Sequence, residues 1–299
     1  MSAALNTTGL RGKLTAHEPM HKHTSWRVGG PADHFYRPAD AQDLIQFIKQ
    51  LPANEPLYWL GLGSNLLVRD GGIRGTVVAT SGALKELGKV DETTVRAEAG
   101  VASAKVARFS AQENLTGAEF LAGIPGTIGG ALAMNAGAFG GETWNIVREV
   151  ETINRQGVVQ RRQSRDYKIS YRHVSGNENE WFLAAHFSLT PAAAAESKAK
   201  IKSLLAKRGA TQPTQMPNAG SVFKNPPGDY SARLIESTGL KGTCEGRACV
   251  SDMHANFIVN TGGATAAEIE QLMLRIQSEV NQHTGVLLEP EVRIVGEAA

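Results

Sequence analysis

"LAGIPGTIGGALAMNAGAFGGE", residues 121 to 142, carries glycine at 123, 126, 129, 130, 137, 140 and 141. That density forbids a long regular element, yet the apolar residues between the glycines call for burial. A buried irregular main chain must find partners for its N–H and C=O groups. Two readings satisfy this. The tract can wrap a large ligand that has many acceptors and a flat apolar portion, as a dinucleotide cofactor has, or its glycines can let two sheets pack closely.

A second glycine turn lies upstream, "GLGSNLL", residues 61 to 67. Successive N–H groups at such a turn can form a concavity that holds phosphate oxygens, with side-chain donors from Ser64 and Asn65. It is not a G-x-G-x-x-G fingerprint, because Leu66 stands where the third glycine belongs and the turn opens a strand rather than a helix. The alternative is an ordinary tight turn. Together the two tracts suggest a nucleotide cofactor held outside a Rossmann fold.

The surrounding pattern sets these tracts among mixed elements. Helical spacing is expected in "AQDLIQFIKQL" (41 to 51), introduced by Pro38 and Asp40, and in "SAKVARFSAQEN". It is also expected in "AAAAESKAKIKSLLAKRG", closed by Gly209, and in "ATAAEIEQLMLRIQSEVNQHTG", with a capping pair at Thr265 and Glu268. Strands are expected in "PLYWL", "NLLV", "GTVVAT", "TTVRAEAG", the two halves of "EVETINRQGVVQRRQ", "WFLAAHFSLT" and the terminal "LLEPEVRIVG". No regular βαβ period emerges, so the fold class expected is α+β. Three contiguous blocks are read, 1–88, 89–195 and 196–299.

Composition excludes several functions. Lys plus Arg number 31 against 29 Asp plus Glu, a net charge of +2, so no global field recommends nucleic acid as a partner. An anionic ligand must be held by a local cluster. The N-terminus lacks a signal-peptide core, and no apolar run reaches membrane-spanning length, so a cytoplasmic protein without a membrane partner is expected. Cys244 and Cys249 are the only cysteines and are expected to be reduced and structural. His21 and His23, two imidazoles at spacing two, are weak evidence for a site, and no metal is expected.

A third segment, "NAGSVFKNP" (218 to 226), gathers a hydroxyl, an ammonium and an amide around Val222 and Phe223. It reads as a strand end entering a polar pocket.

At these residues the chain resembles the UDP-N-acetylenolpyruvoylglucosamine reductases, in their shorter, second type. The matching stretches are "HTSWRVGGPAD" (23 to 33), "GLGSNLLV" (61 to 68), "GIPGTIGGALAMNAGA" (123 to 138) and "YKISYR" (167 to 172). They continue with "NAGSVFKNP", "LIESTGLKG" (234 to 242), "VSDMHANFIVN" (250 to 260) and "LEPEVRIVG" (288 to 296), in order along nearly the whole chain. The resemblance implies a PCMH-type, vanillyl-alcohol-oxidase-like FAD-binding domain of two α+β subdomains, at about 29–194, followed by a C-terminal α+β substrate domain. It implies reduction of UDP-N-acetylglucosamine enolpyruvate to UDP-N-acetylmuramate, a step of peptidoglycan precursor synthesis, with NADPH as hydride donor. The expected form is a monomer.

The resemblance also assigns residues. The cofactor contacts implied are Gly61, Gly63, Ser64, Asn65, Gly123, Ile124, Pro125, Gly126, Thr127, Gly129, Gly130, Asn135, Gly137 and Ala138. Ser221 is the implied proton donor, a weak acid made usable by a strongly basic intermediate. Arg172 is the implied catalytic arginine, able to hold a carboxylate bidentately. The family often continues with Asp and Ser after that arginine, whereas His173 and Val174 follow here, which alters its surroundings. Glu291 is the implied catalytic glutamate; spacing alone does not separate it from Glu289, and the family motif does. Lys224, Asn225 and His254 are implied substrate contacts. The competing classes are another flavin oxidoreductase on the same scaffold and a non-catalytic nucleotide binder.

Neither glycine tract offers a His or Cys for covalent attachment, so the FAD is expected to be noncovalent. Acid precipitation of the yellow protein should leave the flavin in the supernatant, and flavin pelleting with the protein would contradict this.

Overall fold

Apolar spacing and caps place the helices where they form. Asp40 caps the helix Ala41–Gln50 by accepting from the Asp43 N–H at 2.9 Å. Thr265 and Glu268 make a reciprocal capping box at the start of Ala266–Thr284, which Gly285 ends in a left-handed conformation (φ +73°). The structure, a computed structural model, describes residues 5–299. It divides into two compact units. The first comprises the described residues of Met1–Ala16 with His34–Leu62 and Gly75–Lys207; the second comprises His17–Asp33, Gly63–Arg74 and Arg208–Ala299. These units cut across the three contiguous blocks expected from the sequence.

The first unit is built on a five-stranded antiparallel sheet. Its order is Val159–Gln163, Val147–Asn154, Glu180–Ser188, Thr94–Glu98, Leu87–Lys89. The hairpin expected around Gln156 and Gly157 joins the first two strands, with Gly157 at φ +72°. Val95, Ala97, Val150, Ala185 and Phe187 belong to one core cluster with Val106 and Ala107 of helix Ser103–Gln112 and Ile128, Ala131 and Leu132 of helix Ile128–Ala133. A second cluster in this unit joins Leu44, Phe47 and Ile48 of Ala41–Gln50 to Tyr36, Val78, Ile153 and Leu183. Strand Leu57–Leu60 pairs in parallel with Ile73–Ala79.

Charged side chains on the sheet of this unit are met locally. Glu151 accepts from both Arg96 and His186, and the Arg96 guanidinium with the imidazole holds its carboxyl down at about 2.

The second unit packs around Ala266–Thr284. Its Ile269, Leu272, Met273, Ile276 and Val280 meet Leu234 and Ile235 of helix Ser231–Ser237, the sheet Cys244–Glu245, Ala248–Val250, Ile258–Asn260, and Val222, Phe223 and Leu288. Trp26 and Leu67, from early in the chain, lie in the same core. The fully buried Trp26 indole donates to the Ile258 carbonyl at 2.8 Å, and Asn260 Nδ2 donates to the Trp26 carbonyl at 2.9 Å. Asp70 accepts from Ala266 and Ala267 at the start of the long helix. Parallel pairing of Leu66–Val68 with Arg293–Val295 completes the insertion. The interleaving follows from these bonds: the early segments supply core side chains and caps to the later unit.

Four local expectations are corrected. Cys244 and Cys249 form a disulfide, because the register of the hairpin sets them directly opposite one another. The helix expected to close at Gly209 runs Ala194–Thr211, since an interior glycine weakens a helix without ending it. The terminal strand is only Arg293–Val295; Pro290 makes a single bridge to Phe223 and has no N–H for a ladder. For the same reason residues 218–226 are an irregular segment with one bridge rather than a strand end. Among the described residues, no helix is long and apolar enough to cross a membrane, and no group of three or more His, Cys, Asp or Glu could hold a metal ion.

The Trp26 bonds give the first test of this arrangement. Trp26→Phe should cost about 1–3 kcal/mol by leaving the Ile258 carbonyl unpaired, and Trp26→Ala about 3–5 kcal/mol. Both are read from urea unfolding midpoints; an unchanged midpoint for Trp26→Ala would contradict the packing described.

Candidate active site

In the first unit the glycine tract resolves into short pieces: a 3-10 turn Glu119–Gly123, the helix Ile128–Ala133, and the two-residue strands Gly137–Ala138 and Gly141–Glu142. Several glycines serve packing inside the protein. A Cβ on Gly129 would lie 3.0 Å from that of Ala99, and one on Gly141 would lie 2.6 Å from Phe120 Cγ. A Cβ on Gly123 would strike the Phe139 ring at 2.5 Å. Gly61 differs. A Cβ there would lie 2.3 Å from Thr127 Oγ1, a buried hydroxyl that finds no hydrogen-bond partner among the described residues. The nearest atom to a Cβ on Gly130 is that same oxygen, at 3.9 Å. Gly126 and Gly130 are not fully buried and Pro125 is exposed, while Ile124 is buried.

Arg172 belongs to this unit. It occupies the loop between strands Lys168–Ser170 and His173–Ser175, with φ +51°, a conformation a non-glycine side chain rarely adopts. Its guanidinium donates to the Gly137 carbonyl at 3.0 Å and to the Asn135 carbonyl at 3.4 Å, and sits 4.9 Å from the Tyr171 ring centroid. A Cβ on Gly137 would meet the Gly141 carbonyl oxygen at 2.5 Å and a guanidinium nitrogen of Arg172 at 3.0 Å. Asn135 is itself left-handed, and its amide is committed to protein partners: Nδ2 to Glu142 and the Ser170 carbonyl, Oδ1 to the Trp144 N–H. The substituted neighbours His173 and Val174 pair with Ser170 and Ile169 across the hairpin.

The second unit holds Ser221, Lys224, Asn225, His254 and Glu291 together with Gly63, Ser64 and Asn65. Gly61 falls in the first unit. Gly63 packs against the main chain at His23, whose carbonyl a Cβ would meet at 2.1 Å. Asn65 Nδ2 donates to the Glu291 carbonyl at 3.1 Å, and the Asn65 carbonyl accepts from the Arg293 N–H at 3.1 Å.

Ser221 follows Gly220, whose φ of +78° only glycine adopts without strain. The Val222 carbonyl accepts from the Glu291 N–H at 2.8 Å, and the Lys224 N–H donates to the Glu289 carbonyl at 2.9 Å. These bonds lay the serine segment alongside the Glu289–Glu291 segment. Lys224 Nζ pairs with Glu289 Oε1 at 2.5 Å, while Asn225 Oδ1 accepts from the Ser231 N–H at 3.1 Å. Glu289 and Glu291 therefore differ in use: one neutralises the ammonium, the other stands beside the serine segment. His254 is held below the usual imidazole range by burial, and its Nδ1 accepts from the Asn256 N–H at 3.3 Å. Its ring stands edge-on to Phe257, centroids 4.7 Å apart.

The sequence reading passed over Asn256, buried between Ala255 and Phe257, which bonds the main chain of Val222 and Phe223. The available signal was an amide inside the apolar run "ANFIV".

Residues 32–162 match a family profile described as an FAD binding domain. Residues 212–295 match one described as UDP-N-acetylenolpyruvoylglucosamine reductase, C-terminal domain. The chain is 58% identical over 297 residues to the UDP-N-acetylenolpyruvoylglucosamine reductase of Methylococcus capsulatus, spanning 99% of this chain and 98% of the relative. It is 58% identical over 287 residues to the reductase of the same description from Alkalilimnicola ehrlichii, spanning 96% of each. The crystal structure of the Thermus caldophilus UDP-N-acetylenolpyruvylglucosamine reductase superposes with a TM-score of 0.81 at 30% identity, covering 96% of this chain and all of that one.

The residues around Thr127 fit an FAD group. A buried hydroxyl without a protein partner is costly, and an acceptor-rich cofactor relieves that cost. Gly61 and Gly130 keep side chains away from it. Thr127→Val should therefore leave the melting temperature of FAD-free protein unchanged or raised, while weakening FAD binding about 10-fold, the loss of ~1.5 kcal/mol. Titration of the apoprotein with FAD reads the second effect; full affinity would remove Thr127 from the cofactor site.

Proposed function

This chain belongs to the UDP-N-acetylenolpyruvoylglucosamine reductase family, and we propose that it reduces UDP-N-acetylglucosamine enolpyruvate to UDP-N-acetylmuramate with NADPH as hydride donor. It is an oxidoreductase with an FAD-binding domain. The reaction is a step of peptidoglycan precursor synthesis, and a cytoplasmic site of action suits both a nucleotide sugar and NADPH. Bound FAD supplies the two-electron carrier between nicotinamide and the enolpyruvyl carbon.

What falls to the side chains is charge and a proton. Reducing the enolpyruvyl double bond drives negative charge onto the substrate carboxylate, and the carbon beside it must then gain a proton. Arg172 holds the carboxylate: its charge persists at any working pH, and its anchorage to the Asn135 and Gly137 carbonyls fixes its direction. Ser221 gives the proton. Glu291 acts at the same end of the substrate, and Lys224, already paired with Glu289, serves an anionic part of it. His254, kept neutral by its surroundings, contacts substrate as a hydrogen-bonding group.

The observation that supports this most is the bond from the Glu291 N–H to the Val222 carbonyl, which brings the segment of the proposed proton donor against that of the proposed carboxylate. Family membership gives those two residues their roles.

Stopped-flow traces of the two half-reactions test it. Ser221→Ala should leave flavin reduction by NADPH near the normal rate and slow flavin reoxidation by the enolpyruvyl nucleotide by about 10²–10⁴-fold, the range of a lost general acid. An equal fall in both half-reactions would make Ser221 structural. Failure of the unaltered enzyme to be reoxidised by that nucleotide would overturn the function itself.

A further inference from the structure

Residues 221–226 are buried in part but belong to no sheet, so their main chain has no ladder to satisfy it. One residue stands in for the missing strand. The Asn256 carbonyl accepts from the Val222 N–H at 2.9 Å, Asn256 Oδ1 accepts from the Phe223 N–H at 2.9 Å, and Asn256 Nδ2 donates to the Phe223 carbonyl at 2.8 Å. The remaining polar group of the pair, the Val222 carbonyl, takes the Glu291 N–H. All four main-chain groups of Val222 and Phe223 are thus engaged. Ser221 is one peptide bond from this clamp.

We propose that Asn256 is the positioning residue for the Ser221 hydroxyl, setting the serine's place relative to Glu291 through the main chain of Val222 and Phe223. The inference rests on the proton-donor role given to Ser221 above. The carboxamide is suited to it because it offers an acceptor and a donor side by side, matched to the N–H and C=O of one residue. With the amide reversed, donor would meet donor and acceptor would meet acceptor, so the orientation is fixed. A hydroxyl displaced by about 1 Å loses on the order of 10²-fold in proton transfer.

The test uses Asn256→Asp and Asn256→Ser in the full-length, FAD-loaded enzyme. When protonated, the introduced carboxyl reproduces both bonds to Phe223; when ionised, it presents a second acceptor to the Phe223 carbonyl and repels it. The aspartate variant should reoxidise on the enolpyruvyl nucleotide about 10–100-fold slower than wild type at alkaline pH. It should recover toward the wild-type rate as pH falls. Serine has no such second state, so Asn256→Ser should be slow at every pH. In both variants flavin reduction by NADPH should keep its rate, and the solvent deuterium isotope effect on reoxidation should rise. A merely structural role would slow both half-reactions together and leave the isotope effect alone.

The segments bonded to Asn256 or to its clamped residues carry the titratable groups His254, Lys224, Glu289 and Glu291, and Lys241 and Glu236 act on His254. All of these are present in wild type, whose pH profile therefore serves as the reference. Wild-type reoxidation rates in both variants, or equal losses in the two half-reactions at all pH values, would overturn the positioning role while leaving the proposed function standing. Wild-type enzyme that ignores the enolpyruvyl nucleotide would overturn the function and this inference with it.

Discussion

A buried main chain outside any sheet needs a partner for each N–H and C=O, and this protein meets that need with asparagine amides. Asn135 bonds the glycine tract to the Ser170 carbonyl and the Trp144 N–H. Asn260 reaches the Trp26 carbonyl with its nitrogen and accepts from Gly262 and Ala264 with its oxygen. Asn218 turns the chain into Gly220, and Asn256 clamps the segment behind Ser221. An amide offers a donor and an acceptor at peptide spacing without needing a proton from solvent, which lets a single residue do the work of a strand edge. The irregular segments, which carry the candidate site residues, are fixed in this way rather than by ladders.

The same requirement sorts the glycines. Where a glycine packs against a neighbouring side chain or carbonyl, as at 63, 123, 129 and 141, the protein alone explains it. Gly61 borders the Thr127 hydroxyl, which has no hydrogen-bond partner among the described residues, and there a bound group is the proposed explanation.

Elements governed by neighbours in sequence were legible. The helix at Ala41–Gln50 with its Asp40 cap, the capping box at Thr265 and Glu268, and the hairpin around Gly157 each have their determinants within a few residues. The interleaving of the units was not legible, because its determinants are side chains whose partners lie far along the chain; Trp26 and Ile258 are 232 residues apart. The disulfide escaped for a related reason. Two cysteines with four residues between them become cross-strand partners only once the hairpin register is known. Catalytic identities came from family motifs rather than from spacing, and Asn256 belonged to none of the roles those motifs assign.

The left-handed conformation of Arg172 joins local cost to chemistry. A hairpin loop ordinarily gives that position to glycine or asparagine, so an arginine there carries strain that the surrounding structure must offset. The offset is visible: two main-chain carbonyls of the glycine tract accept from the guanidinium. The two carbonyls fix the direction of the guanidinium, while the Lys224 ammonium meets the Glu289 carboxylate. A donor group already aimed needs no reorientation when charge develops during a reaction. That supports the role proposed for Arg172, holding the substrate carboxylate.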